Sequence, residues 1–296
     1  MYNPCTLCPR NCQVNRVSYQ TGFCGMPAGI QVARASLHMW EEPCISGTNG
    51  SGTVFFTGCN LKCVFCQNHV IAIGQKGKEV SAEQLAELFL MLQIKGAHNI
   101  NLVTPSHYVP GIVEALKLAK NQGLSIPIVY NTGGYDSVET LSMLNGLVDV
   151  YLPDFKYVSG ELSKRYSHAA DYFNVAGLGL AEMFRQVGVP VFDGDMLVKG
   201  IIVRHLLLPG CVEDSKAVIR YLHETYGDRV FISIMNQYTP LPHVAAFPEL
   251  ARKVTPEEYD EVVDYAINLG VENGFIQEGD TAEESFIPAF DFTGLL

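Results

Sequence analysis

The stretch Thr53-Val-Phe-Phe-Thr-Gly-Cys-Asn-Leu-Lys-Cys-Val-Phe-Cys-Gln-Asn-His69 joins a short apolar run to a loop holding Cys59, Cys63 and Cys66. The spacing is C-x3-C-x2-C, with Phe65 just before the last cysteine. Iron–sulfur clusters are ligated by cysteine thiolates. Three thiolates can hold three irons of a [4Fe–4S] cluster and leave the fourth iron open to a substrate or cofactor. The alternative is zinc, which takes four nitrogen or sulfur ligands. Cys59, Cys63, Cys66 and His69 could form that tetrad. Disulfides fit poorly, because nine cysteines are an odd number and the opening MYNPCTLCPRNC lacks the apolar stretch of a secretory leader. Clustered thiols in a reducing compartment bind metal or do catalysis.

Outward from this loop the chain alternates apolar runs with amphipathic stretches, the pattern of a parallel α/β sheet. Strands are expected at 53–56, 99–103, 126–130, 148–152, 197–207 and 230–235, rich in Val, Ile, Leu and Phe as in strands buried on both faces. Helices are expected at 110–121, 137–145, 159–167, 175–186, 213–226 and 256–269. One more is opened by a capping box in Ser81-Ala-Glu-Gln84. Six strands with intervening helices predict a partial (β/α)6 barrel of the TIM type. Chemistry in such barrels sits at the C-terminal ends of the strands, and the cysteine loop follows the first of them. The expected division is a cysteine-rich, metal-binding extension over 1–50, the barrel over 51–270, and a tail over 271–296 packed on the barrel.

Acidic residues outnumber basic ones by 31 to 20, for a net charge of -11. That balance argues against nucleic acid as the main partner, since phosphate recognition needs clustered Lys and Arg. No apolar run is long enough to span a bilayer, and the expected location is cytoplasmic.

Cys5, Cys8, Cys12 and Cys24 form C-x2-C-x3-C-x11-C, enough thiolates for a closed zinc site or an auxiliary iron–sulfur cluster. Cys44 is expected to be a packed thiol. Cys211, after the fifth strand, lies on the expected active face. Arg204 stands inside an apolar run, and an unpaired buried charge is costly, so it is expected to meet a ligand. Asp154 and Lys156 share one side of a strand end, where they either pair with each other or contact a ligand. His107, His205, Asn236 and Tyr238 also lie near strand ends. Asn131-Thr-Gly-Gly-Tyr135 reads either as an ordinary turn or as a close backbone approach to a ligand.

Taken together, these features resemble the radical S-adenosylmethionine (SAM) superfamily, in its activating-enzyme branch. The likeness is to uncharacterised homologues of pyruvate formate-lyase activating enzyme. It runs through Trp40-Glu-Glu-Pro-Cys-Ile-Ser-Gly47, Gly50-Ser-Gly-Thr-Val-Phe-Phe-Thr-Gly-Cys59, Val103-Thr-Pro-Ser-His-Tyr-Val-Pro110, Tyr151-Leu-Pro-Asp-Phe-Lys156, Ile202-Val-Arg-His-Leu-Leu-Leu-Pro-Gly210 and Met235-Asn-Gln-Tyr-Thr-Pro240. The resemblance implies that Cys59, Cys63 and Cys66 hold a [4Fe–4S] cluster that reductively cleaves SAM to a deoxyadenosyl radical. The Gly-Gly-Glu-Pro-like segment of the better-understood activating enzymes is replaced here, leaving the Thr104 and Ser106 hydroxyls for the SAM amino group. Asp154 and Lys156 match an Asp-x-Lys element that contacts the amino group and carboxylate of SAM. Arg204 matches an arginine that binds the carboxylate. The implied partners are SAM, reduced flavodoxin or ferredoxin as electron donor, and a glycyl radical enzyme. The ferredoxin-like insert common in glycyl-radical activases is absent. A small molecule or another protein residue is therefore an alternative substrate, and a non-catalytic metal-binding or electron-transfer role an alternative function. The opening cysteines, with Gly22-Phe-Cys-Gly25, are similar to those of the related AmmeMemoRadiSam proteins.

Overall fold

A computed structural model describes residues 1–277 and 288–295. Its elements in chain order are β1 (Ile30–His38), α1 (Pro43–Ser46), β2 (Ser51–Phe56), α2 (His69–Ala72), β3 (Lys78–Val80), α3 (Ala82–Ile94), β4 (Ile100–Val103), α4 (Val109–Asn121), β5 (Ile128–Thr132) and α5 (Val138–Ser142). They continue with β6 (Val150–Pro153), α6 (Gly160–Ser167), α7 (Tyr172–Val187), β7 (Val191–Asp193), β8 (Met196–Leu206), α8 (Val212–Tyr226), β9 (Phe231–Met235), α9 (Pro256–Leu269) and β10 (Gly274–Ile276).

The sheet runs β10-β9-β8-β6-β5-β4-β2-β1-β3, with β7 hairpinned onto β8. From β2 to β10 every neighbouring pair is parallel and the strands follow chain order. This is a partial barrel, with its two sheet ends at β10 and β3. The six expected strands are all present, and β10 adds a seventh parallel one. β2, β4, β5 and β6 are buried along their whole length, which is why they read as unbroken apolar runs. Ser81 and Gln84 close the capping box at the start of α3, each side chain bonding the other residue's backbone N–H.

β1 was not foreseen. Its sequence, IQVARASLH, mixes small and polar residues, so no apolar run marks it. It nevertheless pairs antiparallel with β2 and, at its start, with β3. One sheet therefore crosses residue 50, where the cysteine-rich extension was expected to end. Of the expected tail over 271–296, residues 278–287 and 296 lie outside the described residues. The described part carries β10, and Phe292 N–H and Ala35 N–H bond the Ala33 and Thr293 carbonyls. Phe290 meets Phe55 edge-on at 5.5 Å. The tail thus covers the edge of β1 beyond the end of β3, opposite the edge paired with β2.

Candidate active site

The loop after β2 lies at the C-terminal end of the parallel strands. Gly58, at φ +90°, brings the chain out of the strand. A Cβ there would lie 2.2 Å from Met26 Cγ and 3.1 Å from the Cys24 carbonyl oxygen, so only glycine fits. Val64 N–H bonds the Tyr166 carbonyl, and Cys66 N–H turns back onto the Cys63 carbonyl. Arg10 reaches in from the N-terminal segment to bond the Asn60 carbonyl at 2.8 Å, and its guanidinium lies 3.9 Å over the Phe23 ring.

Cys59, Cys63 and Cys66 line one cavity of about 1010 Å³. So do all five of the residues expected to contact SAM: Thr104, Ser106, Asp154, Lys156 and Arg204. His69 is not on its wall; its ring stacks on His243 at 4.1 Å. Among the described residues no three His, Cys, Asp or Glu side chains are gathered as the ligands of one ion would be. His69, the fourth member of the alternative zinc tetrad, thus stands apart from the cavity that the three cysteines line. A tetrahedral zinc with bonds near 2.3 Å draws its sulfurs to about 3.8 Å of one another. Cubane ligands each take a different iron and stand further apart.

The donor set suits such a cluster. Leu61 N–H lies 3.3 Å from Cys59 Sγ, and the Ser167 hydroxyl donates to Cys63 Sγ at 3.0 Å. Both bonds favour thiolate sulfur. Burial pushes the Cys63 thiol up to about 11 and raises Cys66 further, a cost that coordination to iron removes because the ligands bind deprotonated.

The polar side of the cavity is a buried charge network. Asp154 accepts from Lys156 Nζ at 2.6 Å and from Arg204 Nε at 3.1 Å. Burial alone would raise the Asp154 carboxyl, but the charges of Lys156 and Arg204 outweigh it and hold the group below the usual carboxylate range. Lys156 is raised in turn, its burial outweighed by Asp154. Arg204 also donates to Glu41 Oε2 at 3.1 Å and to Asn131 Oδ1 at 2.6 Å. The arginine expected to wait for a ligand is thus already held by two carboxylates and an amide.

Other expected residues have structural jobs. The Ser106 hydroxyl is buried against Thr132 Oγ1 at 3.3 Å. Thr104 has φ +59°, a costly conformation for a β-branched residue. His107 Nε2 donates to the Thr57 carbonyl at 2.7 Å, and His205 Nδ1 to the Phe155 carbonyl at 2.8 Å. The first grips the cysteine loop and the second the Asp-x-Lys segment. Tyr238 is tied by its hydroxyl to the Leu250 carbonyl, although its ring lines the cavity. Asn236 N–H bonds Gln277 Oε1. Asn131, Thr132 and Gly133 line the cavity, whereas a Cβ on Gly134 would sit 2.2 Å from the Asp154 carbonyl oxygen. The close backbone approach at that glycine is to the protein itself. Cys44 packs in a cluster with Ile45, Val150 and Leu197, separate from the cluster against which Cys59, Cys63 and Cys66 pack. Cys211 precedes α8 and is off the cavity wall.

Cys5, Cys8, Cys12 and Cys24 converge on a separate, smaller cavity of about 300 Å³. Burial pushes Cys8 up to about 12 and raises Cys24. His107 also lines this cavity; because its Nε2 carries the proton given to Thr57, its Nδ1 is a bare acceptor, buried and without a partner.

Glu41 and Glu42 were missed as site residues, although they stand in a quoted motif. Adjacent carboxylates ahead of Pro43 are a weak signal, because such pairs usually face water. Tyr172 was missed too: its hydroxyl touches the Gly133 and Asp154 carbonyls and accepts from Lys156 N–H at 3.1 Å.

A profile of the Radical SAM superfamily matches residues 53–237. The chain belongs to the radical SAM superfamily. Membership implies a [4Fe–4S] cluster and SAM, and the cysteine cavity has the donors for both. An uncharacterized protein of Methanocaldococcus jannaschii is 28% identical over 274 residues, covering 90% of this chain and 75% of that one. The pyruvate formate-lyase-activating enzyme of Clostridium pasteurianum is 26% identical over 193 residues, 60% of this chain and 70% of that one. Among solved structures, Streptococcus suis SuiB bound to its precursor peptide SuiA aligns with a TM-score of 0.53 at 14% identity, over 75% of this chain and 47% of SuiB. HydG, a maturase of the [FeFe]-hydrogenase, aligns with a TM-score of 0.51 at 15% identity, over 79% of this chain and 54% of HydG. The chain spans about half the length of these solved structures, which share its fold. No helix among the described residues is long and apolar enough to cross a membrane.

Proposed function

We propose that the protein is a radical SAM enzyme that reductively cleaves SAM and uses the resulting deoxyadenosyl radical to abstract hydrogen from a substrate. The observation that carries this reading is the shared cavity: three cysteines and the Asp154–Lys156–Arg204 network face one space. A cluster held by Cys59, Cys63 and Cys66 would supply the electron that breaks the sulfonium bond, drawn from reduced flavodoxin or ferredoxin. The protein's own part is to orient and shield. Asp154 is placed for the SAM ammonium and Lys156 for the carboxylate, with Thr104 as a further acceptor. Arg204 serves chiefly to hold Asp154, since its donors are already taken. Phe65 and Leu61 give the cavity its apolar wall.

The relation to the activating enzyme of Clostridium pasteurianum supports a glycyl radical enzyme as partner, and a small-molecule substrate is the second reading, favoured by the chamber described below. The cytoplasm is the proposed location. The four N-terminal cysteines are proposed to hold a second metal centre, an iron–sulfur cluster in preference to zinc. Support comes from the four thiols that line one small cavity.

The test is anaerobic reconstitution with iron and sulfide, reduction with dithionite, and chromatographic assay of 5′-deoxyadenosine from SAM. Deoxyadenosine that depends on Cys63 is expected. Iron-loaded protein that leaves SAM whole under varied reductants would refute the reading and favour the electron-transfer alternative.

A further inference from the structure

A second chamber of about 990 Å³ lies behind the first and shares walls with it, among them Asn131, Arg204 and Met235. Glu41, Glu42 and Ser233 line the second chamber and are absent from the walls of the first. Glu41 is satisfied: Oε1 accepts from Asn101 and Asn131, and Oε2 from Arg204. Glu42 is not. Its exposure is 9%, and among the described residues its Oε2 is buried with no hydrogen-bond partner. Leaving a carboxylate oxygen buried and unpaired is costly.

The surrounding charges cover it only in part: Arg204 attracts Glu42, but the hydrogen bonds of that guanidinium go to Asp154, Glu41 and Asn131. Three carboxylates, Asp154, Glu41 and Glu42, lie in this buried region against two cations, Lys156 and Arg204. Lys156 is bound to Asp154, and Arg204 is divided between Asp154 and Glu41. Glu42 is the carboxylate left over. SAM, docked against the cysteines, would meet Asp154 in the first chamber, on whose wall Glu42 does not stand. What Glu42 Oε2 lacks is a cation or strong donor, and Glu42 lines the second chamber.

We infer that the second chamber is the substrate chamber and that Glu42 selects a substrate bearing a protonated nitrogen, an ammonium or guanidinium. This rests on the radical SAM reading of the first chamber, from which the substrate would be reached past Arg204 and Asn131. The apolar part of such a substrate would lie along Phe55 and Val103, which also line the chamber.

The experiment is calorimetric titration of the anaerobically purified, iron-loaded protein with n-hexylamine, n-hexanol and n-hexanoate, each with and without SAM. The amine is expected to bind at least tenfold tighter than the alcohol, hexanoate weakest, and SAM is expected not to displace the amine. Glu42→Gln should bring the amine to the level of the alcohol, with SAM affinity changed less than twofold. Glu42→Asp, which keeps the charge, should retain the preference; a merely structural role for Glu42 would not separate the two variants in this way. Equal binding of amine and alcohol, no binding of the amine, an unchanged preference in Glu42→Gln, or competition between amine and SAM would each overturn the inference. Failure of SAM itself to bind would instead overturn the reading of the first chamber, since the amine preference is also read without SAM.

Discussion

Gly58→Ala is the sharpest probe of how the cysteine loop is held. The new methyl would fall 2.2 Å from Met26 Cγ, 3.0 Å from His107 Nε2 and 3.1 Å from the Cys24 carbonyl oxygen, at φ +90°. Left-handed backbone costs alanine ~1–2 kcal/mol. Overpacking a filled site costs a further ~1–3 kcal/mol, so ~2–5 kcal/mol of destabilisation is expected. Two of the three neighbours can yield little: one is backbone, and the other is an imidazole already bonded to Thr57. The measurement is urea unfolding of the cluster-free protein, followed separately by iron and sulfide content after anaerobic reconstitution. Iron loading should fall as well, because Cys59 is the next residue. Adding Met26→Ala removes the atom met first, and a double-mutant cycle should show a favourable coupling of ~1–2 kcal/mol, with the backbone cost remaining. A Gly58→Ala protein destabilised by less than ~1 kcal/mol, with normal iron content and no coupling to Met26, would refute the account of this contact.

Asp154→Asn and Lys156→Ala should each weaken SAM binding by ~10–100-fold, the loss of one charge-assisted hydrogen bond of ~1.5–3 kcal/mol, read by equilibrium dialysis. Cys59→Ala, Cys63→Ala and Cys66→Ala combined should abolish deoxyadenosine formation yet leave iron and sulfide bound at Cys5, Cys8, Cys12 and Cys24; complete loss of iron would refute the second cluster. Ser167→Ala should move the cluster's midpoint to a more negative potential in a redox titration followed by paramagnetic resonance, because a hydrogen bond to the Cys63 sulfur is gone. Acid should destabilise the fold through His205, whose burial lowers it from 6.5 to about 4. The neutral ring is stable above pH ~6.5, and stability is lost as pH falls towards ~4, by on the order of 3 kcal/mol. Unfolding free energies measured across that range check it, and His205→Phe should flatten the slope.

The barrel was legible because its parallel strands are buried on both faces and are therefore rich in Val, Ile, Leu and Phe. The helices were legible because their apolar positions recur at helical spacing between capping residues and glycines. β1 was hidden by the same logic. Its partners and the tail satisfy its backbone, so Gln31, Arg34 and Ser36 are tolerated along it and no apolar run appears. At the site, the cysteine spacing and the polar residues at strand ends reveal themselves, since a strand end has few reasons to carry Asp154 and Lys156 together. What spacing could not reveal is which of these groups is already satisfied. Arg204 looks like a ligand donor from its apolar surroundings, but Glu41 arrives from a segment more than 160 residues away in sequence to claim it. Glu42 looks like a surface acid for the opposite reason, because its burial depends on the strands folding round it.

The two cysteine pockets are mechanically joined. One imidazole, His107, clasps the strand exit at Thr57 and lines the cavity of the N-terminal thiols, while Met26 and Cys24 press on the glycine beside Cys59. Air oxidation that disorders the outer set would slacken the inner one. Protein purified in oxygen would then look inert towards SAM for a reason lying wholly outside its catalytic pocket, and only anaerobic preparation from lysis onward would tell an idle enzyme from a damaged one.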